Sequence, residues 1–231
     1  MFTVGRKNRI LVFDVETTGL LPKVDVGAAL PTIDKYPHVL QFSFIVYNML
    51  NRNVERRHNY YICVSPEVEI SERITEITGI TREMCDEKGR SILGAIESFY
   101  DCYMMCDIVV AHNYAFDSAV LKAEITRNRA QLSPCCLQLF NTMFNKEHSI
   151  ESFCTMRYGT NMCAIMKERE NGKSYKKWPT LLELYQYLFE EKPANLHNSM
   201  VDVIACLRCY LKMRRQIEFP MGEFERLVEG C

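Results

Sequence analysis

The chain has 231 residues, 48% of them apolar, and its 28 basic and 29 acidic side chains leave a formal net charge of −1. This length and apolar content suit one large α/β domain with a substantial core. The charge balance excludes a broad basic coat for holding duplex nucleic acid, and no apolar run is long enough to span a membrane, so we expect no membrane partner.

The cysteines and the N-terminal residues indicate the cellular compartment. Eleven cysteines are scattered along the chain, and only Cys206 and Cys209 have the C-x-x-C spacing. No second pair completes a zinc site, and these two lie in an apolar stretch where cysteine behaves as a small hydrophobe. The chain begins without an apolar signal region. We therefore expect an intracellular, reducing compartment, either the cytoplasm or the nucleus.

The first predicted element is a buried strand that ends in two acids. The apolar run Ile10 to Phe13 leads into Asp14 and Glu16, and a Thr-Thr-Gly turn follows. Side chains alternate along a strand, so the two carboxylates share one face. They repel each other unless a cation lies between them, and hard cations such as Mg²⁺ prefer carboxylate oxygens. The stretch predicts a metal site, and a strand that ends in solvated acids is the alternative.

The segments after this strand predict an α/β fold in which a mixed sheet is covered by helices. A long loop with several prolines is followed by two β-rich runs, 39–47 and 57–64, which turn residues join into a hairpin. We expect both of these strands to lie antiparallel beside the first one. Strands then alternate with helices, which adds parallel strands to the sheet. The expected further strands are 107–111 and 150–155, and the expected main helices are 92–105, 115–129, 181–190 and 200–213.

Two more acidic positions follow these predicted elements. Asp117 falls in the first turn of a helix that Asn113 can cap, where the helix dipole favours an acid. The same position points toward the carboxyl end of the sheet, where open α/β sheets bind ligands. Asp202 begins another helix, five residues after His197. Ser199 and Asp202 also fit a capping box, which is the structural alternative for this acid.

The three acidic stretches, in this order and spacing, resemble the three motifs of DEDDh-type 3′–5′ exonucleases, the superfamily of polymerase proofreading subunits. Asp14 and Glu16 match the D-x-E of the first motif, and Asp117 matches the acid of the second. His197 and Asp202 match the H-x-x-x-x-D of the third. The resemblance implies an RNase H-like fold. We expect an exonuclease domain at residues 1–215 and a tail of unknown role at residues 216–231.

The resemblance also implies an activity, a metal-dependent 3′–5′ exonuclease that releases nucleoside 5′-monophosphates from single-stranded DNA in repair or proofreading. The four acids would hold two divalent ions, Mg²⁺ or Mn²⁺, and Asp14 would bridge them. His197 would accept the proton of the attacking water. One alternative is an exonuclease that acts on RNA. Another is a polymerase-associated module that mainly binds a partner. The sequence is also compatible with a homodimer.

Six residues beside the acids are candidates for holding the 3′-terminal nucleotide, namely Thr17, Thr18, Leu20, His112, Asn113 and Phe116. Leu20 is expected against the base, and Phe116 is explained equally well as a core residue. Residues 167–177 carry five basic side chains and two acidic ones. They could guide a single-stranded backbone, or form a solvated mobile loop.

Overall fold

The structure is a computed structural model, and it describes residues 7–25, 27, 29–193 and 198–229. The five strands of the main sheet are β1 (Arg9–Thr17), β2 (Val39–Asn48), β3 (Asn53–Tyr61), β4 (Ile108–Ala111) and β5 (Glu151–Cys154). The helices are α1 (Glu72–Thr78), α2 (Arg82–Lys88), α3 (Ile92–Met104), α4 (Tyr114–Arg127), α5 (Thr142–Glu147), α6 (Thr155–Cys163), α7 (Leu181–Phe189), α8 (Ser199–Arg215) and α9 (Met221–Val228). Within the described ranges, no helix has both the length and the apolar character needed to cross a membrane.

The main sheet is mixed, with the order β3-β2-β1-β4-β5. β1 pairs antiparallel with β2 and parallel with β4, and β5 continues the parallel half. This confirms the predicted combination of a hairpin with parallel strands. The expectation that both hairpin strands lie beside β1 is wrong, because β3 pairs with β2 at the outer edge. A strand has only two hydrogen-bonding edges, and β4 occupies the second edge of β1.

The alternation of β1 places its acids on the face that α8 covers. Leu11 and Phe13 point into the core on the side of α3. Ile10 and Val12 point the other way, into a second core that is dominated by α8. Because side chains alternate along a strand, Asp14 points to the same side as Ile10 and Val12. Its carboxylate therefore faces the start of α8 rather than the core beside α3.

Two regions without a firm prediction are ordered parts of the fold. Residues 166–176 form a β-hairpin of β6 (Met166–Glu168) and β7 (Ser174–Lys176) rather than an irregular loop. Its turn includes Gly172 with φ 73°, a conformation that side chains disfavour. In the C-terminal tail, Phe219 and Phe224 are buried in the same core as α8. The tail therefore packs against α8 through Phe219 and α9.

Candidate active site

Four acids from three distant segments converge at one edge of the sheet. Asp14 and Glu16 lie at the carboxyl end of β1, and Asp202 lies in the first turn of α8. Carboxylate oxygens of these three residues lie within 4.8 Å of one another. Asp117 is only 2% exposed, and its Oδ1 accepts a 3.3 Å hydrogen bond from the backbone N–H of Val15. Because Val15 separates the two acids of β1, this bond holds the fourth acid against the other three.

Burial and mutual repulsion raise the pKa of these acids. Burial raises the pKa of Asp14 well above its ordinary value of 3.8, and the charges of Asp117, Asp202 and Glu16 add to the shift. Burial, together with the charges of Asp202 and Asp117, raises the pKa of Glu16 to about 8. The pKa of Asp117 is also raised to about 8, through burial and the charge of Asp202. The ionised cluster is therefore unfavourable without a cation.

The chemistry of the donor set fits a divalent metal ion. The clustered ligand atoms are all carboxylate oxygens, which hard cations such as Mg²⁺ and Mn²⁺ prefer over the nitrogen and sulfur ligands of softer metals. A cation at this position would remove the repulsion that raises the pKa of Glu16 and Asp14. These residues would form the metal site that the sequence predicts.

The turn before α4 aims Asp117 at β1. Asn113 adopts the left-handed conformation with φ 62°, which asparagine tolerates better than most residues. The N–H of Phe116 donates to the carbonyl of Asn113 at 2.8 Å and closes the first turn. Asn113 occupies the predicted N-cap position of α4, but its side chain makes no capping hydrogen bond. Its function in the fold is the backbone reversal that places Asp117.

The start of α8 differs from the predicted capping box. Asn198 is the N-cap residue, and its side chain accepts a hydrogen bond from the N–H of Met200. Ser199 is the first helical residue and points into the protein with no exposed surface. The structural alternative for Asp202 is therefore wrong, because the capping role belongs to another residue.

A closed ring of hydrogen bonds, which sequence reasoning missed, fixes this helix start to the sheet. The Ser199 hydroxyl donates to Ser43 Oγ at 2.5 Å, and the Ser43 hydroxyl donates to Asn59 Oδ1 at 2.9 Å. Gln41 Nε2 donates to the same Asn59 oxygen at 2.8 Å. Gln41 Oε1 accepts from the backbone N–H of Ser199 at 3.2 Å and closes the ring.

This ring lies directly beside the acids. In the pairing of β1 with β2, Ser43 faces Asp14 and Gln41 faces Glu16. The ring therefore sets the position of the first turn of α8, and Asp202 with it, relative to the acids of β1. A signal was present in the sequence, because Gln41 and Ser43 interrupt an apolar strand two residues apart, on a single face.

The three nucleotide-binding candidates after the first motif, Thr17, Thr18 and Leu20, have different environments in the structure. The Thr17 hydroxyl donates to the carbonyl of Gly19 at 2.7 Å. The Thr18 hydroxyl accepts from the N–H of His38 at 2.9 Å, so it anchors the end of the long loop. Leu20 is 85% exposed and leaves an apolar side chain in solvent beside the site. Of the three residues, Leu20 is the most exposed, while Thr18 is partly buried and Thr17 is buried.

The nucleotide-binding candidates in the second motif, His112 and Phe116, are held by contacts with the rest of the fold. His112 Nδ1 lies 2.9 Å from Thr155 Oγ1, and its Nε2 lies 3.1 Å from the carbonyl of Pro179. Burial lowers the pKa of His112 to about 4, so the ring is neutral and both nitrogens are engaged. Phe116 is partly buried against the core on the side of α3.

His197, the candidate base, lies outside the described residues, as do residues 194–196. The described chain resumes at Asn198, directly before the turn that carries Asp202. The role of His197 remains a prediction.

Comparison with known proteins gives the family. A family model described as Exonuclease, the RNase T family, matches residues 11–210. The PolC-type DNA polymerase III of Thermotoga petrophila is 35% identical over 117 residues, which are 51% of this chain and 7% of that protein. The PolC-type enzyme of Mycoplasmopsis pulmonis is 31% identical over 121 residues, which are 52% and 7%. The chain thus spans only a small part of these relatives.

Solved structures share the fold. Exonuclease I of E. coli in complex with a dT13 oligonucleotide has a TM-score of 0.64 at 18% identity, covering 90% of this chain and 42% of that one. The zinc-bound complex of the same E. coli enzyme with single-stranded DNA has a TM-score of 0.62 at 19% identity, covering 90% and 41%. Together with the family match, which includes all four acids, this places the chain in the family of DEDD-type 3′–5′ exonucleases within the RNase H-like superfamily.

Proposed function

We propose that this protein is a divalent-metal-dependent 3′–5′ exonuclease that hydrolyses the terminal phosphodiester bond of single-stranded DNA and releases nucleoside 5′-monophosphates. The observation that carries the proposal is the convergence of Asp14, Glu16, Asp117 and Asp202 at one edge of the sheet. Membership of the exonuclease family supports the reaction. The likeness to an exonuclease solved with dT13 supports the substrate class.

The four acids would hold two divalent ions, Mg²⁺ or Mn²⁺. Bound between these carboxylates, such ions supply charge stabilisation for the attacking and leaving oxygens of an in-line displacement at phosphorus. Asp14 is the proposed bridging ligand, because its carboxylate lies within 4.8 Å of those of Glu16 and Asp202 and is also exposed to the charge of Asp117. Glu16, Asp117 and Asp202 would supply the remaining carboxylate ligands. Four carboxylates are too few to fill the coordination shells of two such ions, so positions would remain for phosphate and water.

His197 is the proposed general base that takes the proton of the attacking water. An imidazole has an ordinary pKa of about 6.5, which suits proton transfer near neutrality. In the sequence it directly precedes Asn198, the N-cap residue of the helix that carries Asp202. No other group is needed to explain the proton transfer, and the acids remain free to bind metal.

The substrate path is proposed from exposed groups around the acids. Leu20 would contact the terminal base, and the turn at Thr17 and Thr18 would hold its sugar. The hairpin of β6 and β7 would guide the backbone through local positive charge. Lys177 is not part of this charge, because its Nζ lies 2.6 Å from Glu183 Oε1. Lys173 is exposed, and Lys176 is exposed while bonded to Asn161.

Digestion of end-labelled single strands tests the proposal. The 3′ end of a DNA oligonucleotide should shorten stepwise with Mg²⁺, and a chelator should stop the reaction. Asp14→Asn should remove the metal-dependent turnover, whereas Met143→Ala, a change at an exposed residue outside the site, serves as the matched control. If only RNA were degraded, the proposed substrate would change from DNA to RNA. Metal-independent or absent degradation of both would refute the proposal and leave a partner-binding module.

A further inference from the structure

We propose that Trp178 forms a base-stacking subsite for an unpaired nucleotide upstream of the scissile bond. The inference rests on the proposed exonuclease function and adds a specific contact to it. Trp178 is the only tryptophan in the chain, and its side chain is 61% exposed. An exposed indole offers a flat surface on which any base can stack.

A chain of hydrogen bonds links the segment that carries Trp178 to α8, the helix that carries Asp202. The carbonyl of the following residue, Pro179, accepts the bond from His112, which sits at the end of β4 beside the turn into α4. The other nitrogen of His112 contacts Thr155, and the Thr155 hydroxyl lies 3.5 Å from the sulfur of Cys206. Cys206 is one helical turn beyond Asp202 on α8. The Trp178–Pro179 segment is therefore attached to the elements that carry the metal ligands.

The backbone around Trp178 is held on both sides. Before it, Lys177 forms the 2.6 Å ion pair with Glu183. After it, Thr180 and the same glutamate form a capping box at the start of α7. The indole thus projects from a fixed segment while its ring remains in solvent. A fixed backbone lowers the conformational entropy that this segment loses on binding.

The surface that leads to Trp178 has the charge and the aromatic groups of a single-strand path. The hairpin of β6 and β7 immediately precedes it and presents exposed basic side chains. The Arg169 guanidinium lies 5.1 Å from the centre of the partly exposed Tyr175 ring. Basic groups combined with aromatic rings are typical of single-strand binding, in which phosphates are neutralised and bases stack. A paired duplex hides its base faces, so the expected ligand is a single-stranded oligonucleotide.

The single tryptophan gives a direct test that does not depend on turnover. The Asp14→Asn variant is titrated with a dT oligonucleotide of about 12 nucleotides in Mg²⁺, and the fluorescence of Trp178 is recorded. Stacking should quench the emission saturably, in parallel with the anisotropy of an end label on the DNA. A dT dinucleotide should quench it less, because the short ligand occupies only the positions at the acids.

Kinetics test the same subsite in the active enzyme. Trp178→Ala should raise the KM for a single-stranded 20-mer about tenfold, a size expected for the loss of one stacked base. The loss should be smaller for a dinucleotide, and Trp178→Phe should recover most of it. Tyr187→Ala, a change at another exposed aromatic residue, is the matched control.

Two results would overturn the subsite. One is unchanged tryptophan emission when label anisotropy shows that the oligonucleotide is bound. The other is an equal effect of Trp178→Ala and Tyr187→Ala on the 20-mer. Failure of the proposed function looks different, because the unmodified protein would then show no metal-dependent shortening of any strand.

Discussion

Replacing Ser43 with alanine tests whether the hydrogen-bond ring positions α8 over the acids. The Ser43 side chain has no exposed surface, and it accepts from Ser199 while it donates to Asn59. The substitution leaves the buried Ser199 hydroxyl without this acceptor, which costs about 1–3 kcal/mol. Asn59 keeps its bond from Gln41 and adds little to the loss. We expect a loss of about 2 kcal/mol, or about 4–8 °C in Tm for a domain of this size.

The same substitution at the other serine of the pair, Ser199, gives the reference for the expected loss of stability. Ser199→Ala leaves Ser43 bonded to Asn59, so no buried group is orphaned and the expected loss is only about 1 kcal/mol. The double variant should be more stable than Ser43→Ala alone, because removal of both hydroxyls also removes the unsatisfied one. Urea unfolding of the four proteins in chelator completes this double-mutant cycle.

The ring should also act on metal binding. If it sets the distance between Asp202 and the acids of β1, Ser43→Ala should raise the Mg²⁺ concentration needed for half-maximal activity more than it changes the KM for DNA. Equal stability of Ser43→Ala and Ser199→Ala, or strictly additive losses in the double variant, would contradict the reasoning. An unchanged Mg²⁺ requirement would show that the ring stabilises the fold without positioning the acid.

Three further predictions follow from the site. His197→Ala should lower the single-turnover rate about a hundredfold or more while calorimetry still detects metal binding, and full activity would exclude the imidazole as base. Because the folded-state pKa of Glu16 is raised from 4.5 to about 8, the folded protein binds more protons than the unfolded chain between those values. The metal-free protein should therefore lose stability as the pH rises from about 5 to about 8, and Mg²⁺ should restore more Tm at pH 8 than at pH 5; a rising metal-free Tm over this window would contradict the sign. Replacing Lys173 and Lys176 with alanine should raise the KM for single-stranded DNA in low salt and much less in high salt, and equal KM values would indicate a solvated hairpin with no substrate contact.

Local patterns determined the elements that carry the acids. The apolar run before Asp14 predicts a buried strand, and the parity of that strand decides that both of its acids face the same helix. The sequence also predicts helices at 115–129 and 200–213, close to the observed α4 and α8. Each of these signals is complete within about fifteen residues, so it can be read without knowledge of the fold.

Helix caps and the positions of edge strands were harder to predict from the sequence, because more than one local arrangement can satisfy the same backbone N–H and C=O groups. Asn113 looks like a side-chain cap but serves through its left-handed backbone, and Asn198 rather than Ser199 caps α8. The edge position of β3 depends on which strand occupies the second edge of β1. Which cap forms and which strand takes the edge depend on neighbouring segments that are distant in sequence and therefore absent from the local pattern.

The sequence by itself determined the strand, the helix starts and the acidic residue types, and through their order it indicated the family. Only the tertiary structure decided how these parts meet. The contact between Ser43 and Ser199 joins residues 156 positions apart, and the bond from Val15 to Asp117 spans 102 positions. No periodicity encodes such pairs, because they arise when separately specified elements pack around a shared core and bring their polar groups into register.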